Sequence, residues 1–119
     1  MVDDPDRLEL GRAAFNRGEY FLAHELWEEV WREMTDAEQR RCVQGLIQIA
    51  AGLHHLQQRR ARPAAGLLRK GLAKLSLSQQ WPDRWADLRV DLLAGQVTLL
   101  LVELETSGTA AADLRQVKL

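Results

Sequence analysis

Within "YFLAHELWEEVW", residues 20 to 31, two side chains have the types and the spacing to do chemistry: His24 and Glu28. Four residues apart on a helix, their side chains lie one above the other and can meet. An imidazole oriented by a carboxylate can act as a general base, and the same pair joined by a third donor such as His55 could bind a divalent metal. Further polar groups follow at helical spacing. Gln44 and Gln48 are also four apart, and His55 continues their row two turns later. A face bearing Tyr20, Phe21, Trp27 and Trp31 should be dry, and buried polar groups are costly unless hydrogen-bonded. The expectation is therefore that the His24/Glu28 face packs on the Gln44/Gln48/His55 face, sealed by Trp27, Trp31 and Phe21. Gly45 and Gly52 would then let the two backbones approach closely.

Three readings fit such a cluster. It could be a hydrogen-bonded network that fixes helix register. It could be a pocket between helices, with polar groups orienting a small-molecule or peptide ligand and tryptophans as walls. It could also be an acid/base or metal-binding pair in an enzyme of unknown class. Metal is the weakest form of the last reading. "HELWE" carries glutamate where the zinc motif His-Glu-x-x-His needs its second histidine, and the Glu-x-x-His spacing of di-iron bundles is absent. Glutamine is a poor ligand for zinc or iron, and His54 points about 100° away from His55. The sequence has no Gly-rich phosphate loop, no Cys-x-x-Cys and no serine nucleophile elbow, and no cofactor is expected. Cys42 reads as a small buried hydrophobe.

The elements that would position these residues are helices. The 3.6-residue period recurs throughout, and no stretch of five residues alternates as a half-buried strand would. The first helix is expected from Asp4 as N-cap with Pro5 behind it, to a stop at Gly18. The second runs from about Tyr20 to Met34. Thr35-Asp36-Ala37-Glu38 has capping-box spacing, with Thr35 as N-cap of a long third helix reaching Arg60. That helix is apolar so far round that it should pack on more than one neighbour. Pro63 marks a break, since the residue before a proline avoids helical angles. A fourth helix carries the ridge Leu67, Leu68, Leu72 and Leu75. "SLSQQWPDRW" reads as a connection with a short helical turn near Asp83 to Leu88, Trp81 and Trp85 forming a lid. The last helix covers about Val90 to Thr106 and stops at Gly108. "AFNRGEYFLAHELW" has the turn chemistry of a tetratricopeptide unit, but no second copy follows about 34 residues on, so it is one helical hairpin and not an array. The fold expected is all-α: a single-domain antiparallel bundle of five helices over residues 1–108, with 109–119 as a flexible tail.

Bulk properties narrow the function classes. The 119 residues suit one domain and include 16 basic and 17 acidic side chains, for a net charge of -1. Nucleic acid is disfavoured as a partner, because counterion displacement needs a basic surplus. A single cysteine excludes a disulfide framework and fits a reducing cytoplasm. The acidic start (Asp3, Asp4, Asp6) is unlike a signal peptide, and no stretch reads as a membrane span. Acids concentrate between Glu19 and Glu33, whereas Arg59 to Lys74 holds six bases and no acid. Such runs are solvated faces or complementary neighbours, and they admit a homodimer through opposed charges or through a Leu22/Leu26 edge.

"FNRGEYFLAHELWEEVWRE", then "GLIQIAAGLHH" and "GLLRKGLAKL", resembles the family catalogued as domain of unknown function 309. That family pairs a Phe-Asn-x-Gly-x-Tyr-x-x-Ala-His-Glu segment with a Gly-Leu-Ile-Gln segment. The resemblance spans roughly residues 10–75, with His24, Glu25, Glu28, Trp31, Gln44, Gly45 and Gln48 on motif positions. It implies a small bundle of antiparallel helices and brings no activity, cofactor or substrate with it. The reading that follows is a binding or interaction module for a protein or small-molecule ligand, the enzyme being the alternative.

Overall fold

The computed structural model describes residues 4–77, 88–108 and 117–119, without the side chains of residues 4–6 and 77. Five helices are present among them: α1 (Asp4–Asn16), α2 (Tyr20–Glu33), α3 (Ala37–Gln57), α4 (Ala61–Leu77) and α5 (Val90–Ser107). Each packs on the next in chain order, and no strand occurs among the described residues. The fold is all-α. No helix of the described residues is long and apolar enough to cross a membrane.

The turns follow from local chemistry. Gly18 at φ 84° and Gly108 at φ 78° take the left-handed conformation that ends α1 and α5, and Gly108 N–H donates to Leu104 O at 2.9 Å. The start of α3 differs from expectation by one residue. Asp36, not Thr35, is the N-cap, its carboxylate accepting from Gln39 N–H at 2.9 Å. An aspartate holds the N3 amide as well as threonine would, and adds charge favourable to a helix N-terminus. The break before α4 is also made elsewhere than at Pro63. Arg59 turns the chain at φ 60°, and Pro63 sits inside the first turn of α4, where a missing N–H costs nothing.

The long helix α3 packs on both α2 and α4. Its buried residues include Val43, Leu46, Ile49, Ala50 and Leu53. The α3–α4 contact is close because three glycines meet there. A Cβ on Gly45 would lie 3.2 Å from Leu75 Cδ2, one on Gly52 2.8 Å from Leu68 Cδ2, and one on Gly71 2.8 Å from the carbonyl oxygen of Gly45. Gly45 and Gly52 therefore open α3 towards α4, not towards α2 as the sequence suggested. Trp27 lies at the centre of the α1–α2 contact, fully buried, with its indole N–H donating to Leu8 O at 3.2 Å. Phe15 stands 5.7 Å from it and 5.1 Å from Tyr20, ring centre to ring centre.

The acidic run on α2 has its counterpart on α1, where Arg7 reaches Glu33 at 2.7 Å and Glu29 at 3.6 Å. The segment holding Trp81, Trp85 and the turn near Asp83 lies outside the described residues, as does the stretch 109–116. The last three residues are seated on the bundle. Val117 and Leu119 are buried, and Asn16 brackets Leu119, its Nδ2 donating to the carbonyl at 3.0 Å and its Oδ1 accepting from the amide at 2.8 Å.

Candidate functional site

The residues singled out from sequence fall into three places. Trp27 belongs to the core between α1 and α2. His24 and Glu28 pair with each other as their spacing requires, Nε2 to Oε2 at 3.3 Å. Gln44 and Gln48 lie towards α4, where Lys74 Nζ donates to Gln48 Oε1 at 2.9 Å. Among the described residues no hydrogen bond joins the first pair to the second, so the two sets are separate polar sites.

The rotation of α2 explains the separation. Its buried side runs through Tyr20, Ala23, Trp27 and Val30. At 100° per residue, His24 lies about 80° from the middle of that stripe and Glu28 about 120°. The His24 and Glu28 side chains are accordingly 27% and 31% exposed. Phe21 is 52% exposed, so it does not seal a dry interface. It stacks instead on His24, with centroids 6.1 Å apart and planes 14° from parallel, and it leans on His54 of α3 at 5.2 Å.

The resulting hollow, about 250 Å³, is lined by Phe21, His24, Glu25, Glu28, Glu29 and Arg32. Glu28 holds two partners, since its Oε1 also accepts from Arg32 Nη2 at 2.9 Å. With Nε2 turned to Glu28, His24 leaves Nδ1 shielded from solvent with no partner among the described residues. His55 leaves its Nδ1 in the same condition, with its ring 6.3 Å from that of His54. No group of three or more His, Cys, Asp or Glu side chains that could hold a metal ion occurs among the described residues.

The second site is larger and of opposite charge. A groove of about 580 Å³ runs between the α2–α3 connection and α4, lined by Trp31, Thr35, Ala37, Arg40, Arg41, Gln44 and Lys74. Three of these seven carry positive charge and none is acidic. Arg40 builds the wall: its guanidinium lies 4.1 Å over the Trp31 ring and donates to Trp31 O at 2.7 Å and Met34 O at 2.9 Å. Trp31 answers with an indole N–H bond to Arg40 O at 3.1 Å. These contacts satisfy the carbonyls at the end of α2 and lock the corner. Arg41 is held loosely by Glu38 at 3.4 Å. Gln44 and Lys74 complete the lining.

Trp31, Gln44 and Gln48 were legible as candidates, whereas Arg40, Arg41 and Lys74 were not. The available signal was the arginine nine residues after Trp31, one turn into α3, which an antiparallel hairpin with a three-residue connection must set beside that tryptophan. Lys74 came into view only as part of a basic run, because its place opposite Gln48 depends on the α3–α4 register.

An uncharacterized protein of Aquifex aeolicus (strain VF5) is 29% identical over 73 residues, which cover 61% of this chain and 22% of that relative's length. The chain thus spans well under half of the relative it matches. No solved structure matches. The family described as Domain of unknown function (DUF309) matches residues 8–67, which run from α1 through the whole His24 hollow and into α4. The match takes in half of the chain and every helix that builds the two sites except the end of α4, and on it the protein belongs to the DUF309 family.

Proposed function

We propose that this protein is a non-catalytic binding module whose groove between the α2–α3 corner and α4 takes a small ligand bearing a carboxylate or phosphate. The observation that carries this is the lining of the groove: three cationic side chains and one primary amide around a volume of about 580 Å³, with no acid among them. Sites for small molecules have volumes of roughly 300–1,000 Å³ and a few polar groups set against apolar walls. Here Trp31 and Ala37 are the walls. Arg41 and Lys74 supply charge-assisted donors, the stronger kind of hydrogen bond to an anion. Gln48 holds Lys74 from behind, which limits the rotamer freedom the lysine would lose on binding.

The test is a titration of the isotopically labelled protein with inorganic phosphate and with succinate, followed by amide and indole shifts. Shifts concentrated at the Trp31 indole, the Gln44 side-chain amide and Arg41 are expected. Lys74→Met should weaken binding about tenfold, the equivalent of losing one charge-assisted bond worth about 1.5–3 kcal/mol in part. Anions that move no groove resonance, or that bind Lys74→Met equally well, would remove this reading.

A second reading rests on the 3.3 Å His24–Glu28 pair beside an open hollow. There His24 is an acid/base group oriented by Glu28 in an enzyme of unknown class. Shifts confined to Phe21, His24 and His54 in the same titration would favour it over the groove.

A further inference from the structure

Helix α5 is apolar on two opposite sides. Leu93, Val97, Leu100 and Leu104 turn inward and are buried. On the far side Leu92, Leu99 and Val102 are exposed, Leu99 by 73%. Gly95 completes their row, and a Cβ built on it would meet nothing within 4 Å. The steps 92, 95, 99 and 102 alternate three and four residues, the spacing of a helix-pairing seam. The hydroxyls along this side are spent within the helix, Thr98 donating to Ala94 O at 2.7 Å and Thr106 to Val102 O at 2.9 Å. A helix apolar on two sides calls for neighbours on both, and among the described residues α4 is the helix packed on its inner side.

We infer that a second copy of this chain covers this face, its α5 running antiparallel to the first across a two-fold axis at the level of residue 97. The seam is self-complementary in that register. Leu99 of each copy enters the gap left by Gly95 of the other, and Leu92 meets Val102. A parallel pairing sets Gly95 on Gly95 and the two Leu99 side chains on each other, leaving a void beside a crowded layer. Charge favours the same arrangement. Arg89, Gln96 and Glu103 lie along one flank of the seam, and the antiparallel register carries each Arg89 across to the other copy's Glu103. On the opposite flank the same register faces Asp91 with the other copy's Glu105, a like-charge contact that Arg69, 3.1 Å from Glu105, offsets. Parallel pairing offers no opposite-charge pair between the α5 helices. The Leu22 edge of α2, exposed by 42%, has neither a glycine gap nor such a charge pattern.

Sedimentation equilibrium over a concentration series tests this. The wild type should approach twice its 13.5 kDa chain mass, and Leu99→Glu should return to a single chain. Its helical circular dichroism should be unchanged, because that side chain is solvent-facing within one chain. Thr98→Cys should form an interchain disulfide on mild oxidation, since antiparallel pairing brings the two position-98 side chains to the same flank near the axis. The native Cys42 is fully buried and will not compete. A wild type that stays at one chain mass throughout overturns the inference. So does a dimer that survives Leu99→Glu, or one dispersed by Leu22→Glu instead. A Thr98→Cys dimer that fails to cross-link overturns the antiparallel register.

Discussion

The indole of Trp27 occupies the space that a methyl group on Gly11 would need. A Cβ built there lies 2.6 Å from Trp27 Cδ1 and closer still to Nε1. Since that nitrogen donates to Leu8 O, one turn earlier on α1, the glycine and the carbonyl hold the ring as a pair. Replacing glycine by alanine within a helix ordinarily stabilises by about 0.5–1 kcal/mol. At Gly11 the sign should reverse. The ring is fully buried and rigid, so α1 must shift and the Leu8 bond must lengthen, and overpacking of this kind costs about 1–3 kcal/mol. Urea unfolding of Gly11→Ala should show a net loss of about 1–2 kcal/mol with the slope unchanged.

Two glycines five residues apart on α4 make a sharper comparison. A Cβ on Gly66 meets nothing within 4 Å, whereas one on Gly71 lies 2.6 Å from Ile49 Cγ1 and 2.8 Å from the backbone oxygen of Gly45. A side chain can turn away; a carbonyl inside a neighbouring helix cannot. Gly66→Ala should stabilise by about 0.5–1 kcal/mol through helix propensity alone. Gly71→Ala should destabilise by about 3 kcal/mol, because α3 and α4 must separate. Equal effects at the two positions, read by thermal unfolding, would mean that the helices do not meet at their glycines.

Much of the fold could be read before the structure, and the misreadings have a common origin. The helix ends at Gly18 and Gly108 came directly from glycine's access to positive φ, and the five periodic segments from their apolar spacing. On α2 the aromatic residues misled. Phe21 and Trp31 are large and apolar, yet they lie outside the buried stripe, whose middle falls between small Ala23 and Trp27. Weighting the face by size rotated it towards His24 and Glu28. On α3 the glycines were correctly read as points of close approach, but nothing local to α3 says which neighbour approaches. That answer lies in Gly71, 26 residues beyond Gly45, and requires the α3–α4 register. The groove was hidden for the same reason, since it is built from a corner and a third helix that meet only in the folded chain.

His24 bears on whether its pair with Glu28 serves as framework. Both side chains are about a quarter to a third exposed, and exposed helix pairs four residues apart are worth about 0.3–0.5 kcal/mol. Alanine also returns a few tenths of a kcal/mol through its higher helix propensity. His24→Ala should therefore change stability by less than about 1 kcal/mol, with Phe21 becoming more mobile as its stacking partner is lost. A loss of 2 kcal/mol or more in chemical denaturation would mean that the imidazole is a buried, fully bonded member of the core.

Asn16 couples the start of the chain to its other end. Its one amide both donates to Leu119 O and accepts from Leu119 N–H, and its own backbone carbonyl accepts from the Lys118 ammonium. Arg12, one turn earlier, adds a bond to the same Leu119 carbonyl at 3.1 Å, and Gln96 of α5 accepts from Lys118 N–H at 3.3 Å. Val117 and Leu119 thereby stay in the core beside α1 and α5. Asn16→Ala removes both amide bonds and leaves the part-buried Leu119 N–H without its acceptor, at a cost of about 1–3 kcal/mol. Asn16→Asp keeps the acceptor and loses the donor, so it should recover part of that loss. Hydrogen exchange separates local from global effects: the amides of residues 117–119 should lose protection in Asn16→Ala while those of α3 keep theirs relative to the new global stability. Unchanged protection at Leu119 would show that its apolar side chain, and not the bracket from Asn16, holds this segment in place.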